Sequence, residues 1–224
     1  FLDGHDPDHI CNHTDRQGRY AYANQPNIGL WNLHALAQGL MPLIGRDHSD
    51  AVREVLESYK LTYANAMRRR LRSKCGLSTT QKDDAGLIDS LLNQMIQERT
   101  DHTILFRRLS TFSTAEGADN GHVKSLFKDT AFWERWSVAY AARLRAENSD
   151  DLQRAAAMNR INPSVVLRNH LAESAIRQAQ AGDFSDVQRL LKVLQSPFDE
   201  RHDASADAGF PPDWAQHIEV SCSS

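Results

Sequence analysis

The spacing of apolar residues becomes helical from Leu30 onward. A first face repeats every three or four positions, and Pro42 with Gly45 predicts where that helix ends. The members of this face are Leu33, Leu36, Ala37, Leu40 and Leu43. A second, longer helix is predicted to begin with Ser49 or Asp50 as its N-cap. Its apolar positions are Val52, Val55, Leu56, Tyr59, Tyr63 and Met67.

Two more amphipathic stretches follow in the middle of the chain. One carries Leu87, Ile88, Leu91, Leu92, Met95 and Ile96. The other is rich in aromatic residues and carries Phe132, Trp133, Trp136, Ala139, Tyr140 and Leu144. Both have the spacing of one helical face, so each predicts a helix.

Two late helices have clear boundary signals. Asn162 is predicted as an N-cap, because Pro163 then occupies the first helical position, where a missing N–H has no cost. Gly182 predicts the stop of this helix, and Asp183 the start of the next. The expected faces are Val166, Leu167, Leu171, Ala175 and Ile176, then Phe184, Val187, Leu190, Leu191 and Leu194.

The segments outside these helices have the composition of loops. Residues 1–29 are crowded with Asp, His, Asn, Gly and Pro, which favour local turns. Residues 111–125 and 199–213 are also predicted as loops, and strand signals are nearly absent. The pattern therefore predicts a mainly α domain that follows an irregular amino-terminal arm.

Composition narrows the class of protein. The chain has 224 residues and a formal net charge of -3, with a pI near 6.4. The charge therefore gives no reason to expect that the protein binds nucleic acid. No apolar run is long enough to cross a membrane, and three cysteines form no disulfide framework, so we expect a cytoplasmic protein. The chain starts with Phe1 rather than Met, and we expect it to be a piece of a longer protein.

The arm holds the densest set of possible metal ligands. His5, His9, Cys11 and His13 lie among four aspartates, Asp3, Asp6, Asp8 and Asp15. Zinc accepts such ligands, but the spacing matches no compact Cys/His zinc motif. Asp and Asn in loops more often make local turns, so we predict turns and no metal site.

No complete active site is visible in the residues alone. Asp101-His102-Thr103 precedes Arg107-Arg108 and is interpreted as a helix start with charged neighbours. Glycine-rich phosphate loops, nucleophile elbows and zinc-protease motifs are absent. Cys222 near the carboxyl end is either a stray terminal thiol or a partner for Cys11. Cys75 is read as a bystander whose pKa nearby cations would lower.

The arm and the late segments resemble one protein family. The arm motifs are Phe1-Leu2-Asp3, Asp6-Pro7, Ile10–Asp15, Gly18-Arg19-Tyr20, Asn24-Gln25-Pro26 and Gly29–Leu33. The late motifs are Asn162-Pro163, Val166–Asn169, Gly182-Asp183, Ser196-Pro197-Phe198 and Cys222-Ser223-Ser224. Together they are similar to the carboxyl-terminal part of the selenoprotein O family, which are kinase-like protein adenylyltransferases.

The resemblance implies a fold and a reaction. Residues 1–29 would be an activation-segment-like arm, 30–198 the helical C-terminal lobe of a protein-kinase-like (pseudokinase) fold, and 199–224 a tail. The intact protein would use ATP and Mg²⁺ to transfer AMP to Ser, Thr or Tyr of protein substrates. The family's catalytic, nucleotide-binding and metal-binding residues would lie upstream of Phe1, so the resemblance implies that this chain alone is inactive.

The resemblance also implies a disulfide between Cys11 and Cys222. Closing a loop of that length stabilises a fold by about 5 kcal/mol at most in the chain-entropy model. In a reducing cytoplasm such a bond would be transient, which favours redox control, with glutaredoxin or thioredoxin as possible partners. Two other functions stay open: a non-catalytic helical binding or scaffold module, and a thiol-redox protein that uses these two cysteines.

Overall fold

The computed structural model describes residues 2–12, 14–200 and 204–218, and the regular structure in these ranges is helical. The helices are α1 (Gln25–Ile44), α2 (Ser49–Lys74), α3 (Asp84–Glu98), α4 (His102–Leu109), α5 (Gly121–Lys124), α6 (Thr130–Ala146), α7 (Asp151–Asn159), α8 (Asn169–Gln180) and α9 (Ser185–Leu194). Among the described residues, the only β pairing is one isolated bridge between Gly4 and Asp101. The mainly α prediction is confirmed. None of the helices in this part of the chain is both long and apolar enough to cross a bilayer.

The described residues divide into two compact units. The arm unit comprises residues 7–70, with α1 and most of α2. The core unit comprises residues 2–6 and 71–218, with the last turn of α2 and all later helices. The first residues of the arm thus belong to the core unit, although 64 positions separate them from its remainder.

The core unit is built around α3, α4 and α6. Its main cluster joins aliphatic residues of α3 and α4 to aromatic residues of α6. Fully enclosed members include Leu91, Met95, Leu105, Leu109, Tyr140 and Leu144. Trp136 stacks on Tyr140 with ring centroids 4.8 Å apart. The predicted aromatic helix is confirmed, since Trp133, Trp136, Tyr140 and Leu144 are all buried.

Two polar side chains of α6 within this core are hydrogen-bonded. The Tyr140 hydroxyl donates to the Cys75 carbonyl oxygen over 2.7 Å, and Trp136 Nε1 donates to the Leu87 carbonyl oxygen over 3.0 Å. Buried polar groups are stable only when they are hydrogen-bonded. These two bonds therefore fix α6 against the end of α2 and against α3.

The predicted helix start at Asn162-Pro163 is wrong. Residues 161–168 are irregular, and α8 begins at Asn169. Asn162 is fully buried and donates through Nδ2 to the Lys74 carbonyl oxygen over 2.9 Å. Its amide is thus used in a tertiary contact and cannot cap a helix. The predicted break at Gly182 is confirmed: this glycine lies between α8 and α9 with φ of 90°.

The arm unit has little interior of its own. No residue of α1 or α2 is fully buried. Where the helices approach each other, the Tyr59 hydroxyl donates to the Pro26 carbonyl oxygen over 3.2 Å. The apolar face that the sequence predicts for α1 is mostly exposed to solvent. Leu36 is 57% exposed and Leu43 is 85% exposed.

Candidate functional site

Arg168 contacts Asp3, and these two residues belong to two of the motifs by which the chain resembles the selenoprotein O family. The guanidinium of Arg168 contacts the Asp3 carboxylate and forms two bonds to Asp101, of 2.7 and 3.1 Å. The side chain of Arg168 is 1% exposed, and that of Asp101 is 5% exposed. Burial alone would lower the pKa of Arg168, but the two carboxylates outweigh it and raise this pKa above its ordinary value. Arg168 therefore stays charged and holds Asp3 in place.

The backbone of the arm reinforces this contact. His5 N–H donates to the Thr100 carbonyl oxygen, and His102 N–H donates to the Asp3 carbonyl oxygen, both over 2.9 Å. Gly4 lies between these bonds, and a Cβ there would be 2.7 Å from the Arg99 carbonyl oxygen. Only glycine allows so close a backbone approach.

Asp101 has two roles at this point. It is the N-cap of α4, because Oδ1 accepts a 2.8 Å bond from Ile104 N–H. The same carboxylate also binds Arg168. The interpretation of Asp101-His102-Thr103 as a helix start is therefore confirmed, while its second role in anchoring the arm was missed.

A half-buried group of basic side chains lies next to the ion pairs of Arg168. Its members are His5, His102 and Lys74. The His102 ring lies 5.4 Å from the His5 ring and 5.0 Å from the Phe106 ring, measured between centroids. Burial, followed by Lys74 and His5, lowers the pKa of His102 to about 3. Burial also lowers the pKa of His5. Both imidazoles are therefore neutral near pH 7, and His102 is too weakly basic to act as a general base there.

Lys74 completes this group from the end of α2. Its Nζ lies 4.7 Å above the Phe106 ring centroid and donates to Asn162 Oδ1 over 2.9 Å. Burial lowers the pKa of this amine. Lys74 and Asn162 are thus joined by two hydrogen bonds, since the Asn162 side-chain amide also donates to the Lys74 carbonyl oxygen.

The segment after Asn162-Pro163 is hydrogen-bonded to Ser196-Pro197-Phe198, and both segments belong to the motifs shared with the family. Ser164 N–H and Val165 N–H donate to the Pro197 carbonyl oxygen over 2.7 and 3.2 Å. Arg107 Nη1 donates to the Asn162 carbonyl oxygen over 2.8 Å, and its Nη2 donates to the Phe198 carbonyl oxygen over 3.1 Å. The segments after Asn162 and around Pro197 are therefore fixed to α4.

The middle of the arm forms a self-contained turn in the arm unit. Asp15 accepts backbone bonds from Arg19 N–H over 3.0 Å and from Tyr20 N–H over 2.7 Å. Gly18 supplies the left-handed residue of this turn, with φ of 65°. The Arg19 guanidinium then lies 4.5 Å above the Trp31 ring centroid on α1. The turn prediction is confirmed for this aspartate.

The cysteines differ in accessibility. Cys11 is an exposed free thiol on the arm, whereas Cys75 is buried. Burial raises the pKa of Cys75 to about 12. The expected lowering by nearby cations is therefore wrong, because desolvation outweighs Lys74. Cys222 lies outside the described residues, so its predicted pairing with Cys11 stays a prediction.

The acidic and histidine residues of the arm do not converge on a metal site in the described part of the chain. No group of three or more His, Cys, Asp or Glu side chains that could hold a metal ion occurs there. His13 lies outside that part. Of the arm's candidate ligands, Asp3 takes part in an anchor of ion pairs and backbone bonds around Arg168.

Comparison with known proteins identifies the family to which the chain belongs. The model of the family described as "Protein adenylyltransferase SelO" matches residues 1–195. The chain is 48% identical over its whole length to a "Protein nucleotidyltransferase YdiU" of Paraburkholderia xenovorans, and it covers 45% of that protein. It is also 48% identical to a protein of the same name from Cupriavidus pinatubonensis and covers 45% of that protein. It is 46% identical to another from Herminiimonas arsenicoxydans and covers 44% of it. Both matches extend over the whole length of the present chain.

The chain thus spans less than half the length of these curated relatives. The family match covers the arm anchored by Asp3 and the segment that carries Arg168. The chain belongs to the SelO family of protein adenylyltransferases.

Proposed function

We propose that this chain is the carboxyl-terminal part of an enzyme that transfers AMP from ATP to Ser, Thr or Tyr hydroxyls of proteins. The acceptor oxygen attacks the α-phosphorus, the bond between the α- and β-phosphates breaks, pyrophosphate leaves, and the hydroxyl proton is released. The family match over residues 1–195 carries this proposal. The name shared by the three relatives, protein nucleotidyltransferase, supports it.

The residues described in this chain do not fit a nucleotide–metal centre. They contain no group of three candidate metal ligands, and the buried Arg168 is already bound to carboxylates. The catalytic residues are therefore proposed to lie outside this chain. ATP and Mg²⁺ are proposed to bind in the part of the full-length protein that this chain does not span, within a kinase-like fold.

The anchored arm supports a role on the acceptor side. In the proposed arrangement the arm is activation-segment-like and borders the cleft where the protein substrate binds. Arg168 and the backbone bonds to Thr100 and Asp3 fix its first residues. Positioning of reactants contributes a large share of phosphoryl and nucleotidyl transfer catalysis, so a fixed arm would orient the acceptor.

Labelled ATP tests this reaction in the full-length protein. We expect acceptor proteins to gain label from α-labelled ATP and none from γ-labelled ATP, with release of pyrophosphate. The present chain alone is expected to transfer nothing. Transfer of the γ-label would make the protein a kinase, and α-label transfer by the isolated chain would refute the assignment of the catalytic residues elsewhere.

A redox switch between Cys11 and Cys222 is proposed as the regulation of this enzyme, in a cytoplasmic protein whose disulfide glutaredoxin or thioredoxin would reduce. The exposed thiol of Cys11 supports its availability for such a bond. A scaffold module and a thiol-redox catalyst are the competing functions. Binding without transfer by the full-length protein would favour the scaffold, and thiol-dependent peroxide reduction would favour the redox catalyst.

A further inference from the structure

The tail segment, residues 204–218, belongs to the core unit and is fixed there near its first residues. Ala204 is buried in a small apolar cluster that includes Val193. Asp207 is 6% exposed, and its carboxylate accepts a 2.5 Å bond from Arg189 Nη1. Both contacts are made with α9, so this helix holds the start of the tail segment.

Two aromatic side chains farther along the tail segment lie beside arginines of different helices. The guanidinium carbon of Arg108, on α4, is 5.6 Å from the Phe210 ring centroid. The guanidinium carbon of Arg177, on α8, is 5.8 Å from the Trp214 ring centroid. The Trp214 ring also stands perpendicular to the His170 ring, with centroids 6.2 Å apart. Trp214 therefore contacts the first turn of α8.

His170 is an enclosed side chain that both the tail segment and the arm approach. It is 8% exposed, and its Nδ1 is buried without a hydrogen-bond partner among the residues that the structure describes. Burial lowers the pKa of His170, and Arg168 adds to this effect, while the carboxylates of Asp3 and Asp207 act in the opposite direction. Asp3 belongs to the arm and Asp207 to the tail segment, so the two segments are close to the same imidazole.

The buried Nδ1 indicates that water is kept away from this place. A polar atom without a partner has a free-energy cost that contact with water would remove. Arg168 lies two positions before His170, and its side chain is 1% exposed where it pairs with Asp3. An ion pair that becomes exposed to water contributes little to stability. Detachment of the Trp214 ring would thus let water approach the contact that holds the arm.

We propose that Trp214 is a positioning residue, which packs on His170, keeps the ion pair between Arg168 and Asp3 dry and so fixes residues 2–6. The consequence for catalysis rests on the proposed function, in which a fixed arm orients the acceptor protein. Loss of the indole ring lets residues 2–6 detach more often, and the acceptor then binds more weakly.

Hydrogen–deuterium exchange in the full-length protein tests this proposal. The readout is the set of peptides that contain residues 2–6, in which His5 N–H is bonded to the Thr100 carbonyl oxygen. We expect Trp214→Ala to speed exchange in these peptides by at least about tenfold, because local opening becomes more frequent. Peptides of α3 report global unfolding and should keep the rates of the parent protein. Equal acceleration in α3 would mean a general loss of stability and would overturn the proposal.

Two further variants distinguish the contact with His170 from docking of the tail segment in general. Trp214→Phe keeps a ring at this position and should restore most of the protection of residues 2–6. Phe210→Ala is the matched control, because Phe210 is 55% exposed, Trp214 is 45% exposed and each lies beside an arginine. The control should leave residues 2–6 unchanged. Unchanged exchange in Trp214→Ala, or equal acceleration in Phe210→Ala, would contradict the proposal.

A second measurement needs no substitution and so does not depend on how a variant folds. Native-state exchange of the full-length protein at increasing low concentrations of denaturant gives the opening free energy of each segment. We expect residues 2–6 and the tail segment to open together, before α3. Residues 2–6 that stay protected after the tail segment has opened would overturn the proposal.

Transfer kinetics test the consequence for the reaction. In the full-length protein, Trp214→Ala should raise the KM for the acceptor protein several-fold and leave the KM for ATP unchanged, and Trp214→Phe should restore the parent value. Equal changes in both KM values would refute a positioning role toward the acceptor. A parent protein that transfers no AMP would refute the proposed function, while the exchange measurements would still decide whether Trp214 fixes the arm.

Discussion

Arg168 and Asp3 are 165 positions apart in the chain and form an ion pair in the core unit. Arg168 is almost completely buried, and its second partner, Asp101, is the N-cap of α4. One guanidinium thus links the start of the arm, the start of α4 and the residue just before α8. This contact makes the position of residues 2–6 depend on the folded state of the core unit to which they belong.

Replacement of Arg168 by Ala is expected to destabilise the core unit by about 3–5 kcal/mol, because it leaves the buried carboxylate of Asp101 without its countercharge. Chemical denaturation monitored by tryptophan fluorescence measures this loss. Arg53→Ala is the control, since Arg53 and Asp50 form a pair that is largely exposed on both sides. The control is expected to change stability by less than about 0.5 kcal/mol. Equal losses in the two variants would contradict the anchoring role of Arg168.

Gly76 is expected to tolerate no side chain. Its φ is 68°, and a Cβ would lie 2.5 Å from Met158 Sδ and 2.7 Å from Arg154 Cγ. Gly117 has a similar φ of 72°, but a Cβ added there would have no neighbour within 4 Å. Gly76→Ala should therefore cost about 3 kcal/mol and Gly117→Ala about 1 kcal/mol in unfolding free energy. Thermal or denaturant unfolding of both variants would show the difference, and equal costs would mean that the space around Gly76 is not limiting.

The buried His102 predicts a loss of stability in acid. In the unfolded chain its imidazole binds a proton near pH 6.5, whereas in the fold burial lowers its pKa to about 3. Between these values the unfolded state binds the extra proton, so stability falls as the pH falls, by up to about 1.4 kcal/mol per pH unit. From about pH 7.5 to about pH 5.0 this amounts to about 2 kcal/mol.

The variant His102→Asn isolates this contribution. Its unfolding free energy should fall by about 2 kcal/mol less than that of the parent chain between about pH 7.5 and about pH 5.0. Denaturation curves at the two pH values for both proteins provide the comparison. Parallel losses would show that His102 does not account for the acid sensitivity.

Much of the core unit could be predicted from local pattern. The buried face of α6 follows the spacing of Trp133, Trp136, Tyr140 and Leu144, because each lies one helical turn from the next. The break between α8 and α9 followed from Gly182, whose positive φ is a local property of the backbone. Signals of this kind lie within a few residues of the structure that they specify.

The candidate site was harder to predict because its contacts are long-range. Nothing near Asp3 in the sequence indicates Arg168 as its partner. At Asn162 the local signal was misleading, since an Asn before a proline suits a helix cap, but the bonds to Lys74 decided its structure. Periodicity predicted an apolar face on α1, yet the residues of that face are exposed in the arm unit, because periodicity carries no information on tertiary contacts.

The accessibility of the thiols predicts selective alkylation. Cys75 is buried and its pKa is raised to about 12, so at about pH 8 it holds almost no thiolate, the reactive form. Iodoacetamide should therefore modify Cys11 in the native chain and reach Cys75 only after unfolding. Peptide mass spectrometry before and after addition of denaturant measures both sites. Labelling of native Cys75 at the rate of Cys11 would show that the core opens readily around it.

The proposed redox switch predicts that oxidation changes adenylyl transfer only when Cys11 is present. Oxidised glutathione would take two electrons and two protons from the thiols of Cys11 and Cys222, which form the disulfide, and would leave as two molecules of reduced glutathione. The full-length protein should then show a different rate in oxidant and in dithiothreitol, and Cys11→Ser should make the two rates equal. Cys75→Ala is the control and should keep the difference, because Cys75 is enclosed in the core. Non-reducing peptide mapping completes the test: Cys222 found free, or paired with Cys75, would exclude the switch.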